Sequence, residues 1–189
     1  EKELSKIVVK SDVRTDLVNF YTSMYHLHIA PNIFCDVDNT YLAMDGKTYK
    51  AEDFTPYTVF SLWDTYRAAH PLFTIIDRKR TEDYIKTMLD HYKKAGHLPV
   101  WELDGNETWC MIGYHSVSVI ADAYVKGITN FDTKLALEAM IESAKAKRFV
   151  IDHYVANGYV PAEKSGESVS KTLEYAYDDW CIAQFANAI

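Results

Sequence analysis

Three cysteines, five prolines and seven glycines in 189 residues are too few for several common designs. Cys35, Cys110 and Cys181 are odd in number, widely separated and each set in an apolar context. They read as buried free thiols, which excludes a disulfide framework or a zinc site. The sparse glycines build no phosphate-cradling loop, and neither a serine nucleophile elbow nor a zincin pattern occurs. Positive charge is short as well. The formal net charge is −7, and the densest basic stretch, Arg78-Lys79-Arg80, is followed closely by Glu82 and Asp83. Nucleic acid and anionic membrane are therefore not expected partners. No apolar run approaches the roughly 20 residues of a membrane span, and no basic-then-apolar segment opens the chain. The chain begins without Met inside one helical pattern and ends inside another with no stop signal, so a fragment is expected.

What is present is mostly helical periodicity. Leu4, Ile7, Val8, Leu17, Phe20, Tyr21 and Met24 keep the three-and-four spacing of an amphipathic helix. A polar loop is expected over about 31–55, then a helix over 57–69 that reaches Pro71. Tyr84, Ile85, Met88, Leu89 and Tyr92 mark another, closed by Gly96. Further helices are expected from Met111 to Lys126, from Thr133 to about Tyr154, and from Ser168 or Ser170 onward. Alternation of period two is confined to brief stretches at 48–50 and 98–103. The reading is all-α: six or seven helices in an α/α toroid or a helical bundle.

Three constellations could carry chemistry. In the first, residues 101–116, Glu102, Asp104 and Glu107 lie between Trp101 and Trp109. An unpaired carboxylate is costly to bury, so either Glu107 complements a following helix end or the group lines a polar pocket with aromatic walls. Carboxylates crowded against apolar faces raise one another's pKa, which is how a general acid is made. In the second, Trp63, Asp64 and Arg67 fall within one helical turn, either as a salt bridge beside a buried indole or as a clamp for a sugar hydroxyl. In the third, Glu174 and Asp178 place like charges four apart, beside Asp179 and Trp180. Something must compensate that repulsion, and a structural network is favoured over a cation or ligand. The stretch 36–47 fails as an EF-hand, with Tyr41 and Lys47 where Gly and Glu are needed. His26 and His28 face different sides of a helix, and His115 reads as a core histidine.

Taken together, "NIFCDVDNTY", "YTVFSLWDTYRAAHPL", "LPVWELDGNETWCMIGYHSVSVIADAY" and "SVSKTLEYAYDDWCIAQFA" resemble glycoside hydrolase family 92, the calcium-dependent exo-α-mannosidases. The resemblance covers essentially the whole chain. It implies that residues 1–189 are a single piece, roughly half, of an (α/α)6 catalytic toroid. A preceding β-sandwich domain and the rest of the toroid would lie elsewhere. It implies hydrolysis of terminal α-mannosyl linkages with inversion, Glu107 as general acid, and a general-base aspartate beyond Ile189. Trp63, Asp64, Arg67, Trp101 and Asn106 are the candidate substrate-binding residues. Calcium is the implied cofactor of the full-length enzyme, with no metal ligand expected in this segment. Mannose-containing glycans are the implied partners, with self-association through uncovered helix faces, and the implied location is periplasmic or extracellular in a bacterium. The alternative is a non-catalytic helical module that binds glycans or serves structure.

Overall fold

The computed structural model describes all 189 residues. A single 3-10 turn, Leu4–Lys6, precedes α1 (Arg14–Leu27). Short strands follow: β1 (Asn32–Ile33), β2 (Thr40–Leu42), β3 (Thr48–Lys50), β4 (Tyr57–Thr58) and β5 (Phe60–Ser61). Next come α2 (Leu62–Thr65), α3 (Ala69–Ile76), α4 (Arg78–Ala95), β6 (Trp101–Leu103) and β7 (Asn106–Glu107). The chain closes with α5 (Ser116–Val125), α6 (Thr133–Ala144), α7 (Ile151–Asn157) and α8 (Ser168–Ala188).

The protein is helix-rich, but the all-α expectation is wrong in detail. The strands form three small antiparallel sheets: β1 with β4, β2 with β3, and β5-β6-β7. Three helices begin later than the spacing predicts. The segment 7–13 is not helical, although Leu4, Ile7 and Val8 kept a helical spacing, because α1 begins only at Arg14. Tyr57 to Ser61 is strand rather than helix, with β-branched Val59 at a φ of +67° between β4 and β5. Pro71 ends no helix. It is the third residue of α3, in the first turn where no intrahelical N–H is lost.

The helix expected from Met111 starts only at Ser116, and the polar stretch 31–55 carries β1, β2 and β3 rather than loop alone. The centre of α4 matches its pattern. α4 presents Tyr84, Ile85, Met88 and Leu89 to the core and stops at Gly96, whose φ of +78° gives the left-handed cap. Asp77 caps its start by accepting from the Arg80 N–H, and Asp132 does the same for α6 through Leu135. α5 is the central element, packed against α3, α4, α6 and α8. That position explains its composition: Val117, Val119, Ile120, Ala121 and Ala123 are buried, so little of its circumference is polar. Each large aliphatic side chain so buried contributes about 1.5–3 kcal/mol. On α8, Val169, Leu173 and Trp180 remain exposed. No helix is long and apolar enough to cross a membrane.

Candidate active site

The β6–β7 hairpin turns on Asp104 and Gly105, with φ of +50° and +76°, the two left-handed positions of a type I′ turn. Asp-Gly is the dipeptide that geometry favours. The turn pairs Glu102 with Glu107 and Leu103 with Asn106. Glu107 therefore ends a strand; the next helix begins only at Ser116, so no helix end is there for it to complement. Its carboxylate instead folds back on the main chain. Oε2 accepts from the Val100 N–H at 2.7 Å, and Oε1 accepts from the N–H groups of Trp101 (2.9 Å) and Trp109 (2.8 Å). Three backbone donors fix both the rotamer and the path of the chain into Trp109.

Trp109 is half-buried, with the His97 ring centroid 4.5 Å from its own and the Arg148 guanidinium 3.7 Å above it. Beyond it opens a cleft of about 440 Å³ with aromatic walls from Trp63, Trp109 and Phe149 and polar groups from Lys171 and Glu174. Trp109, Met111, Phe149 and Glu167, four of the cleft's residues, hold positive φ between +50° and +66°. Such left-handed non-glycine residues cost roughly 1–3 kcal/mol each and persist where the surroundings over-determine them, which is typical of functional sites. The indole Nε1 of Trp63 is buried with no acceptor. A larger groove of about 690 Å³ runs along Tyr66, Tyr177 and Trp180, but none of its lining residues is strained in this way.

Behind the cleft lies the network that compensates the α8 carboxylates. His115 is buried between two of them, with Nδ1 2.8 Å from Asp178 Oδ1 and Nε2 2.8 Å from Glu174 Oε2, the latter out of line for a good hydrogen bond. Its ring stacks on Tyr66 at a centroid distance of 4.0 Å. A Cβ at Gly113 would collide with that ring, which requires glycine there. Asp178 also accepts from the Tyr114 N–H, and Asp179 from the hydroxyls of Tyr114 and Tyr154. Burial pushes the Asp178 pKa up, while the hydrogen bond from His115 opposes it. The compensating partners are histidine, tyrosine and, at Glu174, Arg67, and they form a structural network.

The structure sorts the remaining candidates. Trp63 forms a cleft wall. Arg67 does not pair with Asp64, which is exposed; its guanidinium donates to Glu174 Oε1 at 3.2 Å and lies 4.9 Å from the Trp63 ring centre. Arg67 lies past the end of α2, where Glu174 rather than Asp64 is the carboxylate in reach. Trp101 is half-buried with its N–H and carbonyl engaged, and Asn106 is exposed with Nδ2 on the Asp104 carbonyl. Neither lines the cleft. Trp109, Phe149, Lys171 and Glu174 line the cleft but are not among the candidate substrate-binding residues. Of these, Trp109, directly after Glu107-Thr108, and Glu174, four residues before Asp178, carry a local signal. The Glu102 carboxylate is raised as well: burial, with a smaller push from Glu107, takes its pKa to about 7. No three His, Cys, Asp or Glu side chains converge where they could hold a metal ion.

All of residues 1–189 match the family model described as the glycosyl hydrolase family 92 catalytic domain. The chain belongs to that family. A solved family 92 α-mannosidase from Bacteroides thetaiotaomicron, in complex with mannoimidazole, is 50% identical, with a TM-score of 0.94 over 99% of this chain and 25% of that one. A second solved relative, described as a family 92 inverting mannosidase from Bacteroides thetaiotaomicron VPI-5482, is 34% identical with a TM-score of 0.92, over 99% of this chain and 27% of that one. An uncharacterized secreted glycosidase of Arthroderma benhamiae is 32% identical over 117 residues, 53% of this chain and 15% of that protein. The chain thus spans about a quarter of the length of its solved family 92 relatives.

Proposed function

We propose that this chain is part of the catalytic (α/α)6 toroid of an inverting exo-α-mannosidase acting on mannose-containing glycans, with Glu107 as general acid. The observation that carries the reading is the 50% identity, sustained over 99% of the chain at a TM-score of 0.94, to an α-mannosidase solved with mannoimidazole. The assignment of Glu107 rests on the resemblance of the block Gly105–Thr108 to the family pattern. Acting as acid, it gives its proton to the departing glycosidic oxygen. The N–H groups of Val100, Trp101 and Trp109 hold its side chain in one place. Inversion further requires a second carboxyl about 6.5–9.5 Å away to activate water on the opposite face of the sugar. Glu102 is committed to three donors, and Asp178 and Asp179 to His115 and two tyrosines. Following the family resemblance, the base is assigned to a residue outside this chain.

Calcium is implied by the resemblance, but these residues do not fit it. A calcium site needs six to eight oxygens, and the one dense acidic group, Glu174 with Asp178 and Asp179, is filled by His115, Arg67 and tyrosine donors. Its ligands are proposed to lie outside the 189 residues, and no step above runs through it. Export from the cell is proposed on the same footing, the Arthroderma relative being described as secreted.

Two outcomes test the reading. Proton NMR of mannobiose hydrolysis by the complete protein should show β-mannose as the first-formed anomer; α-mannose appearing first would end the inverting assignment. The isolated 189-residue chain should hydrolyse no mannoside and gain nothing from added calcium. General acid assistance alone is worth about 10² to 10⁴ in rate, short of the 10⁶ or more that enzymes reach. Calcium-stimulated turnover by that chain would show the site to be misplaced.

A further inference from the structure

We infer that Glu102 is the positioning residue of this site: its buried carboxylate clamps the β6–β7 turn to the β4–β5 bend and so fixes where Glu107 stands. The inference rests on the reading of Glu107 as the acid and adds the device that aims it.

Glu102 has no exposed surface and makes no contact a substrate could share. Oε1 accepts from the Thr58 hydroxyl at 2.8 Å and the Gly105 N–H at 2.7 Å, and Oε2 accepts from the Val59 N–H at 3.1 Å. The Thr58 hydroxyl in turn accepts from the Asp104 N–H at 2.7 Å. One carboxylate therefore ties down both left-handed turn residues, Asp104 and Gly105, and the left-handed Val59. A β-branched residue at positive φ is a true outlier, and this clamp is what holds it. Glu107 is two residues past the turn and directly across the ladder from Glu102. A one-residue slip in such a ladder turns every side chain to the opposite face, which would carry Glu107 away from the N–H groups of Val100, Trp101 and Trp109.

The clamp suits the ionised state best. Two of the three donors on Glu102 are fixed main-chain N–H groups, and only the Thr58 hydroxyl could turn to accept from a protonated carboxyl or an amide. Burial works against the ionised form and brings its pKa to about 7. A buried apolar residue would be the cheaper choice if stability alone were at stake.

The test is the ratio of two rates in the complete protein: kcat on mannobiose, whose leaving group needs a proton, over kcat on an aryl mannoside, whose phenol does not. The amount of folded enzyme cancels in this ratio, so a merely structural role leaves it unchanged. Glu102→Gln removes the charge. Thr58→Val removes the hydroxyl link more gently, and Thr58→Ser restores it. An acid displaced by about 1 Å can cost on the order of 10² in rate. The ratio should fall at least about tenfold in Glu102→Gln and Thr58→Val and return to near wild type in Thr58→Ser. If it falls in Glu107→Gln but is unchanged in Glu102→Gln and Thr58→Val, the positioning role is overturned alone. If Glu107→Gln leaves it unchanged, the acid assignment fails and this inference fails with it.

Discussion

Glu107→Gln in the complete protein should lower the rate on mannobiose by about 10² to 10⁴ and the rate on an activated aryl mannoside far less. Gln keeps the size of the side chain and an acceptor oxygen but cannot give up a proton to the leaving group. A sugar leaves as a poor alkoxide unless protonated, whereas a nitrophenolate leaves unaided, so the deficit tracks the leaving group. Binding of an uncharged mannose-like inhibitor should be nearly retained, because the lost interaction exists only in the transition state. The substitution also has a structural cost that must be separated out. The Gln amide can accept from only part of the Val100, Trp101 and Trp109 donor set that the carboxylate satisfies. That cost lowers the melting temperature and reduces both rates equally. Equal losses on both substrates would leave Glu107 a structural anchor of the hairpin and remove it from the acid's role.

The placement of Glu107 shows where sequence reading worked and where it stopped. Helices closed by their own residues were legible: α4 from the spacing of Tyr84 to Tyr92 and from Gly96, and α8 from the apolar run after Ser168. The short strands were not, because their partners are remote. Phe60 pairs with Glu102, and the left-handed Val59 between β4 and β5 is held by the Glu102 carboxylate from 43 residues away. Locally, Tyr57 and Phe60 keep a helical spacing, and tertiary pairing overrides it. The Asp104-Gly105 dipeptide is a signal for a two-residue hairpin, and that hairpin puts Glu107 at a strand end rather than beside a helix end. Repulsion between Glu174 and Asp178 correctly announced a compensating group. It could not name His115, because 63 residues separate it from Asp178 and only the packing of α5 on α8 brings them together. The strain around the cleft, at Trp109, Met111, Phe149 and Glu167, has no sequence signature, since none of these residues is one that favours positive φ.

The second large effect concerns acid. His70 and His91 are buried among Phe60, Phe73 and Tyr84, with both ring nitrogens of His70 and the Nδ1 of His91 lacking any partner. Burial alone takes the His70 pKa down to about 4; for His91, burial together with a smaller contribution from His97 takes it to about 3. Both are therefore neutral in the fold. The unfolded chain binds a proton at each site once the pH drops below about 6.5, and the folded chain refuses it. Their contribution to stability is fully present above that pH. It declines as the pH falls, by about 3 kcal/mol at His70 by pH 4 and roughly 4–5 kcal/mol at His91 by pH 3. Glu102 has the opposite slope. Its raised pKa means the fold holds a proton that the unfolded chain has released, so its penalty grows as the pH rises from about 4.5 to about 7 and eases in acid. Two histidines outweigh one carboxylate, and the individual histidine is best isolated by difference. His70→Leu removes one refused proton and two unsatisfied nitrogens without a large change in volume. Chemical denaturation of this chain and of the variant, at pH 7 and pH 4, should show the gap between them widening by about 3 kcal/mol in favour of His70→Leu at the lower pH. A gap that does not change with pH would mean that His70 accepts a proton inside the core, and that its neighbours open to let water reach it.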